Sequence, residues 1–280
     1  QVVGTVDITP VPDTTTGTVS ITGDEQEGGT LTAAVSTLVD PDGGTAAAVS
    51  YQWQFSSDGV TYTDISGATD STYTVANDQS QVGGYFKVEV KTSDDTVLTS
   101  APSGAIVNVP DAPTVTPTTS NDLVLDEQAI ATLIDSAVTL ADSDGTGFGG
   151  GSLTVSVASP DVGDQLSLAT GVTPANDAIQ LAGSDVQISD GTDWTTIGTI
   201  DSTNTGENGT SLTITFETGV TDAQATLVAQ AITFENTSDA PPSGARDLTF
   251  SVVSADAEAA VDQVVGTVDI TPVPDTTTGT

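Results

Sequence analysis

Most of the chain alternates between apolar and polar residues in short runs, which is the pattern of strands with one buried face. Phe86–Val90 reads FKVEV, so its three apolar residues are predicted to face a core while its Lys and Glu face water. Comparable runs are Thr18–Thr22, Ser50–Phe55, Ser152–Ala158, Ser211–Phe216 and Leu248–Val253. Turn signals such as Asp58-Gly59 and Asp190-Gly191 lie between them. Many short strands of this kind predict an all-β fold built of sandwiches.

One stretch departs from this alternation. Thr221–Ala231 reads TDAQATLVAQA and is rich in good helix formers. Thr221 and Gln224 have the spacing of a capping box, in which each side chain bonds the backbone of the other residue. The sequence therefore predicts one short helix here, joining two strands.

Two proline-bearing segments, residues 9–13 and 109–113, interrupt the strand pattern. Proline stiffens a linker and removes a backbone donor, so these segments are interpreted as domain junctions. We predict a first domain over residues 14–110 and a second over residues 111–273.

The chain begins and ends with the same eighteen letters: residues 1–18 and 263–280 both read QVVGTVDITPVPDTTTGT. The offset between them is 263 minus 1, or 262 residues, and a repeat at a fixed offset indicates a tandem array. On this interpretation residues 1–13 are the last strand and linker of a preceding repeat, and residues 274–280 begin the next one.

Composition narrows the possible functions. Asp and Glu number 39 against 3 Lys and Arg, a formal net charge of −36, which excludes nucleic acid as a partner because phosphate binding needs clustered basic residues. No uninterrupted apolar run approaches the length of a membrane span. Without histidine or cysteine, carboxylate-pair hydrolysis is the chemistry left to an enzyme. With 4% aromatic residues and acids concentrated in turns, we predict that the chain is not an enzyme.

Several longer stretches of the chain resemble known repeat families. Residues 18–109 include ITGDEQEGGTLTAAVSTLVDPDGG, SYQWQFSSDGVTYTDISGATDSTYTV and QVGGYFKVEV, and nearly all of this range resembles the Ig-like repeats of giant bacterial surface proteins. The second domain carries TLADSDGTGFGGGSLTVSV and AITFENTSDAPPSGARDLTFSVVSAD, which resemble cadherin-like repeats of the same adhesins and of RTX-type or VCBS-type exoproteins. The resemblance implies two tandem β-sandwiches, Ig-like and then cadherin-like with one short helix. It also implies an extracellular location at a bacterial cell surface or in a biofilm matrix.

Each domain repeats one arrangement of aspartates: one in the linker, an Asp-x-Asp pair and one in a late loop. These are Asp13, Asp40, Asp42 and Asp94 in the first domain and Asp111, Asp142, Asp144 and Asp256 in the second. In an Ig-like strand order these loops and the incoming linker lie at one pole, and Ca²⁺ takes roughly six to eight oxygen ligands. We predict Ca²⁺ sites there, the alternative being that Asp is simply favoured in turns. Glu25, Glu27 and Glu127 are predicted to lie at the opposite pole.

The sequence thus predicts a structural repeat unit of a giant secreted adhesin or matrix fibre, a stalk or filament whose joints calcium stiffens. Its partners would be neighbouring copies of the same repeat and other cells or matrix. Two alternatives stay open. One is a filament of separate subunits joined by donor-strand β-augmentation. The other is a glycan-binding or partner-binding module, which needs exposed aromatic residues, whereas Trp53 is predicted to pack in a core.

Overall fold

The structure is a computed structural model that describes residues 13–118, 122–171 and 175–273. The chain divides between Val109 and Pro110 into two units, residues 1–109 (unit 1) and residues 110–280 (unit 2). The predicted strand of a preceding repeat, at residues 1–12, and the start of the next repeat, at residues 274–280, lie outside the described residues.

Unit 1 is a sandwich of two antiparallel sheets. Its strands are β1 (Thr16–Gly23), β2 (Thr30–Val39), β3 (Ala48–Ser56), β4 (Thr63–Asp64), β5 (Thr72–Thr74), β6 (Tyr85–Thr92) and β7 (Val97–Thr99). One sheet has the order β1-β2-β5 and the other the order β4-β3-β6-β7. Consecutive strands are distributed between the two sheets as in an immunoglobulin-like sandwich.

The core of unit 1 follows the predicted alternation. Phe86, Val88 and Val90 are fully buried on the inner face of β6, which confirms the orientation predicted for this strand. Trp53 is also fully buried, and its indole N–H donates to the carbonyl of Asp70 at 3.0 Å. Because a buried indole needs such an acceptor, this bond fixes Trp53 as a core residue and confirms the packing role.

Unit 2 contains thirteen strands and one helix in its described part. The strands before the helix are β8 (Thr114–Thr116), β9 (Leu123–Asp126), β10 (Thr132–Leu133), β11 (Thr139–Ala141), β12 (Ser152–Val157), β13 (Asp164–Leu168), β14 (Asn176–Ala182), β15 (Asp185–Asp190), β16 (Trp194–Thr205) and β17 (Leu212–Phe216). Helix α1 (Asp222–Gln230) and strands β18 (Ile232–Asn236), β19 (Arg246–Val253) and β20 (Gln263–Thr271) follow.

An eight-stranded sheet dominates unit 2, with the order β14-β15-β16-β17-β12-β19-β20-β9. Its pairs are antiparallel except for β20 and β9, which run parallel and join the end of the unit to its beginning. Smaller sheets, β10-β18-β13 and β11-β8, supply the other layer, and one continuous core of buried residues includes side chains from both layers. The predicted all-β fold of two sandwiches with one short helix is therefore confirmed.

Helix α1 begins where the sequence predicts. Thr221 is its N-cap, and the reciprocal capping box with Gln224 is present. The helix buries Ala225, Val228 and Ala229, and the hydroxyl of Thr226 donates to the carbonyl of Leu140 at 3.1 Å. It contains nine residues, and no helix in the described ranges has the length and apolarity to cross a membrane.

A buried ion pair links β13 to β19. Arg246 and Asp164 are 8% and 1% exposed, and the guanidinium bonds both carboxylate oxygens of Asp164. Asn236 on β18 donates its side-chain amide to the same carboxylate at 2.8 Å. A charged pair taken out of water is stable only when its remaining polar atoms find partners, and Asn236 supplies one of them.

Candidate metal centre

Three of the predicted aspartates of unit 2 meet at one end of the unit. Asp142 and Asp144 lie on the turn after β11, and Asp256 lies on the turn after β19. One carboxylate oxygen of each lies within 4.8 Å of the corresponding oxygen of the other two. Asp142 and Asp144 are only 5% and 6% exposed, and Asp256 is half-buried. We call these three residues the aspartate cluster.

Backbone hydrogen bonds bring the two turns together. The turn at Asp142 closes through the N–H of Gly145, which donates to the carbonyl of Asp142 at 3.2 Å. Gly145 has a φ of +68°, a conformation in which a side chain is strained. The N–H of Ala255 then donates to the carbonyl of Gly147 at 3.0 Å, which holds the β19–β20 turn against the glycine-rich segment. Asp256 is therefore placed by the main-chain contacts of its turn, and its own carboxylate accepts a bond from the hydroxyl of Ser254.

The linker residue Asp111 reaches the aspartate cluster through its backbone. Its N–H donates to Oδ2 of Asp144 at 2.6 Å, and its carboxylate accepts a long bond from the hydroxyl of Ser143 at 3.4 Å. Asp142 accepts a bond from the hydroxyl of Thr146 at 2.6 Å. The chain entering unit 2 is thus tied to the same turn that supplies two carboxylates of the cluster.

Asp222, the first residue of α1, is a further acid beside the cluster that the sequence analysis missed. Its Oδ2 accepts the N–H of Asp142 at 3.1 Å, while its Oδ1 is buried without a hydrogen-bond partner. Oδ2 of Asp256 is also buried without a partner. Buried polar atoms are normally satisfied, so these two oxygens indicate that the end of the unit can accept a further ligand. The sequence did contain one signal for Asp222. The predicted capping box makes Asp222 the first residue of α1, but it does not show which segment that residue faces.

Basic side chains do not balance this charge. The chain has three basic residues, Lys87, Lys91 and Arg246, and the only one in unit 2, Arg246, is paired with Asp164 at the start of β19. Burial raises the pKa of Asp256, but the hydroxyl of Ser254, which donates to its carboxylate, and the neighbouring side chain of Asp144 outweigh this effect, so the pKa lies below its ordinary value. The cluster therefore combines an ionised carboxylate with neighbouring acids in a largely buried place.

This donor set suits a hard cation. Ca²⁺ binds carboxylate and carbonyl oxygens in flexible geometries of roughly six to eight ligands, whereas Mg²⁺ demands near-ideal octahedral sites and retains its water. The three carboxylates of the cluster, of which that of Asp256 has an unpartnered oxygen, fit the first description. With no nitrogen or sulfur donor in the cluster, ions that prefer imidazole or thiolate are poorly matched.

The corresponding aspartates of unit 1 make the same linker and turn hydrogen bonds as those of unit 2, but their carboxylates do not converge. Oδ2 of Asp42 accepts the N–H of Asp13 at 2.7 Å, and Oδ1 of Asp40 accepts the N–H of Asp42 at 3.0 Å. Asp94 accepts the N–H of Thr15 at 2.7 Å. Asp13, Asp42 and Asp94 are exposed and Asp40 is half-buried. In residues 13–109, three carboxylates do not approach one another as they do in unit 2.

Asp94 of unit 1 is already stabilised as an anion by the protein. The hydroxyl of Thr92 donates to its carboxylate and holds the pKa of Asp94 well below its ordinary value, with the backbone N–H of Thr15 acting in the same direction. The charge of Asp94 is therefore satisfied by neutral hydrogen-bond donors.

The three glutamates predicted for the opposite pole differ in their surroundings. Glu27 is 3% exposed; its Oε2 accepts the N–H of Val109 at 3.4 Å, and its Oε1 is buried without a partner. Glu25 accepts the N–H of Gly104 at 2.9 Å. In unit 2, Oε2 of Glu127 is buried without a partner. None of the three belongs to a group of converging carboxylates within the described residues.

A known protein family matches one part of the chain. A family model described as a domain of unknown function, DUF8696, matches residues 14–109 and so falls on unit 1. No curated protein matches the chain significantly.

Solved structures align over most of the chain at low identity. The fibronectin(III)-like modules of Clostridium thermocellum CbhA are 15% identical over 90% of this chain and 92% of that one, with a TM-score of 0.24. The three N-terminal domains of the bacteriophage RB49 Highly Immunogenic Outer Capsid protein (Hoc) are 13% identical over 92% of this chain and 100% of that one, with a TM-score of 0.25. The collagen binding domain of Erysipelothrix rhusiopathiae surface protein RspB is 9% identical over 90% of this chain and 91% of that one, with a TM-score of 0.19. Superpositions this distant carry no argument, so the fold assignment rests on the strand order described above.

Proposed function

We propose that this chain is a calcium-stabilised structural segment of a repetitive extracellular protein, of the kind found in giant bacterial adhesins and matrix fibres. The aspartate cluster carries this proposal: Asp142, Asp144 and Asp256 place carboxylate oxygens within 4.8 Å of one another. Like charges this close, in a partly buried site with no basic residue of unit 2 left to pair with them, repel one another. A bound divalent cation converts that repulsion into attraction.

Calcium suits an extracellular setting. Extracellular modules bind Ca²⁺ with dissociation constants of about 10⁻⁴–10⁻³ M, which matches a site with a modest number of protein ligands completed by water. The acidic surface, with a net charge of −36, also raises the local concentration of cations around the chain.

A mechanical role is supported by the place of the cluster in unit 2. The backbone of Asp111 donates to Asp144, and Asp222 of α1 accepts the N–H of Asp142. An ion bound by the cluster would therefore hold the entering chain, the Asp142–Asp144 turn and the start of α1 as one rigid end. Together with the identical segments 1–18 and 263–280, this favours a repeated spacer that resists unravelling when pulled.

Isothermal titration calorimetry of the whole chain with CaCl₂ tests the proposal. We expect saturable Ca²⁺ binding that equimolar MgCl₂ does not reproduce. Asp256→Asn should weaken it by about tenfold or more, because removing one ligand charge lowers the affinity of such sites. Asp94→Asn is the matched control, because Asp94 holds the corresponding late-loop position in unit 1 and donors of the protein already satisfy it.

Two outcomes would overturn the proposal. The first is heat of Ca²⁺ binding no larger than that of Mg²⁺ at millimolar concentration, which would indicate diffuse screening of an acidic surface. The second is equal weakening by Asp94→Asn and Asp256→Asn, which would show that total charge rather than the aspartate cluster determines affinity.

A further inference from the structure

Unit 2 contains a groove of about 690 Å³ that shares no lining residue with the aspartate cluster. Residues of β13, of the turn between β14 and β15, and of β16 line the groove. Cavities of roughly 300–1,000 Å³ with apolar walls and a few polar groups are the usual form of ligand sites. The size of the groove is therefore that of a site for a short peptide or a small molecule.

The backbone builds this groove at a break in β16. The pairing of β16 with β17 is interrupted between Ile200 and Thr205. Immediately afterwards, the carbonyl of Gly206 accepts the N–H of Leu166 on β13 at 2.8 Å. Gly206 has a φ of +85°, and a Cβ there would lie 2.2 Å from the carbonyl oxygen of Leu166. Only glycine permits this close approach of the two backbones, so the break in β16 is fixed by the fold.

The opposite side of the groove is held in the same way. The N–H of Ile200 donates to the carbonyl of Ser184, in the β14–β15 turn, at 2.8 Å. Leu166 is buried, and Leu181 and Ile200 are half-buried. Leu181 and Ile200 leave an apolar surface within the groove that is partly open to solvent, whereas Leu166 is only 3% exposed and adds little to it.

Two carboxylates border this apolar surface. Asp201 is half-buried and Glu207 is exposed. Oδ1 of Asp201 accepts the N–H groups of Asn204 at 2.8 Å and Thr203 at 2.9 Å, and these bonds hold the pKa of Asp201 below its ordinary value. Asp201 is therefore a fixed anion at neutral pH.

We propose that this groove binds a lysine or arginine side chain presented by a short segment of a partner protein. The aliphatic stem would cover Leu181 and Ile200, while the cationic head would lie at Asp201 and Glu207. Long basic side chains combine an apolar stem with a charged end in this way. Charge complementarity favours this occupant. The only basic residue of unit 2, Arg246, is paired with Asp164, so no basic side chain of the unit is left to neutralise Asp201 and Glu207. The volume also exceeds that of one amine, which favours a peptide over a free small cation.

Nuclear magnetic resonance of the ¹⁵N-labelled chain, in buffer containing calcium at constant ionic strength, tests this inference. The probes are capped Ala-Lys-Ala, the neutral analogue with norleucine in place of lysine, and cadaverine. We expect the lysine peptide to shift the amide signals of residues 181–184 and 200–207. The norleucine peptide should bind roughly tenfold more weakly, since it loses its attraction to two carboxylates and each exposed ion pair contributes about two- to fivefold. Cadaverine should bind more weakly than the lysine peptide, because it lacks the flanking peptide contacts.

Two substitutions localise the binding. Asp201→Asn keeps a side-chain oxygen to accept the N–H groups of Thr203 and Asn204, so the turn is retained while the charge is lost. Combined with Glu207→Gln, it should weaken the lysine peptide by roughly tenfold. Asp247→Asn removes one charge from an exposed position on β19 and should leave the affinity within about twofold.

Four results would overturn the inference. Equal binding of the lysine and norleucine peptides would remove the role of the carboxylates. Equal binding of cadaverine would identify the ligand as a free amine. An effect of Asp247→Asn as large as that of the double variant would indicate general charge attraction. The fourth result is that the signals of the groove stay unshifted at up to roughly 20 mM peptide. The binding free energy would then be weaker than about 2–3 kcal/mol, and a binding site in the groove would be excluded.

Discussion

The two units carry the same order of aspartates but use them in different ways. In unit 2 the aspartate cluster is largely buried, and oxygens of Asp222 and Asp256 remain without partners. In unit 1, Asp42 and Asp94 are exposed, and each accepts a backbone N–H from the first described residues of the chain. An identical pattern of acids can thus fold into a set of satisfied turn caps or into a cluster with an excess of negative charge.

Neighbouring structure accounts for the difference. In unit 2 the glycine-rich segment after Asp144 accepts the β19–β20 turn through Gly147, and α1 places Asp222 beside Asp142. The hydroxyl of Thr92 in unit 1 and that of Ser254 in unit 2 both donate to the late-loop carboxylate, so this bond is common to the two units. The comparison teaches that the spacing of aspartates sets where a cation site can form, while burial by surrounding loops decides whether the acids need a cation.

The largest expected contrast between the units comes from their ion pairs. Asp164→Asn leaves Arg246 buried beside a neutral side chain and should lower the free energy of unfolding by about 3–5 kcal/mol. Asp95→Asn in unit 1 breaks a pair with Lys91 whose side chains are 83% and 47% exposed, and it should cost less than about 1 kcal/mol. Guanidinium denaturation of each variant measures both values.

The double variant Asp164→Leu with Arg246→Met serves as the control for this contrast. It removes both buried charges and should recover most of the loss, because apolar residues replace buried ion pairs well. A cost below about 1 kcal/mol for Asp164→Asn would show that the buried pair contributes no more than the exposed one.

Calcium should separate the thermal transitions of the two units. At about one hundred times its dissociation constant, the ion adds about 2.7 kcal/mol to unit 2, which raises its midpoint by roughly 5–10 °C. Unit 1 should shift by less than about 2 °C. Differential scanning calorimetry detects both transitions, and fluorescence of Trp194→Phe, which leaves Trp53 as the one tryptophan of the chain, follows unit 1. Equal shifts in the two units would contradict the assignment of the ion to the aspartate cluster.

Asp222 offers a smaller and sharper test. Asp222→Asn preserves an oxygen that can accept the N–H of Asp142 but removes a charge next to the cluster, so we expect Ca²⁺ affinity to fall by about three- to tenfold. Asp190→Asn removes a charge from a turn of the same unit and should change the affinity by less than about twofold. Titration calorimetry measures both constants, and equal values for wild type and Asp222→Asn would limit Asp222 to capping α1.

The smallest expected effect is the contribution of one turn aspartate to stability at neutral pH, and it should be similar in the two units. Backbone N–H groups hold the pKa of Asp58 and of Asp190 below their ordinary values, led by Thr61 and Asp193 respectively. Each carboxylate therefore adds stability above its unfolded pKa of about 3.9, and that contribution is lost as pH falls through the lower, folded value.

Variants of these two turns provide the measurement. Wild type should unfold at a higher temperature than Asp58→Asn or Asp190→Asn at pH 7 in chelator, and the differences should disappear towards pH 2–3. Comparing each variant with wild type at the same pH cancels the change in overall charge repulsion. A difference that persists undiminished at pH 2–3 would show that the ionised form is not responsible.

Local features of the fold were predictable because each depends on a few neighbouring residues. The alternation in Phe86–Val90 predicts which side chains are buried, and the Thr221–Gln224 spacing predicts the first turn of α1. The glycines of Asp58-Gly59 and Asp190-Gly191 adopt φ values of +71° and +94°, as these turn signals indicate. In each case the period of the backbone or the lack of a Cβ restricts the outcome without help from distant residues.

Other features depend on contacts between segments far apart in sequence. The order of the eight-stranded sheet, with β14 at one edge and the parallel pair β20 and β9 at the other, has no local signal because short strands can pair with several partners. Asp222 was missed for a similar reason: its position at the helix start was readable, but Asp142 is 80 residues away.

By itself, the sequence determined the strand and helix periodicity, the excess of acids and the repeated order of aspartates, because these properties belong to the chain before it folds. The tertiary structure decided that Asp142, Asp144 and Asp256 converge while Asp40, Asp42 and Asp94 do not. The physical reason is that the effect of a carboxylate depends on its distance from other charges and its access to water, and both are set by which loops pack over it.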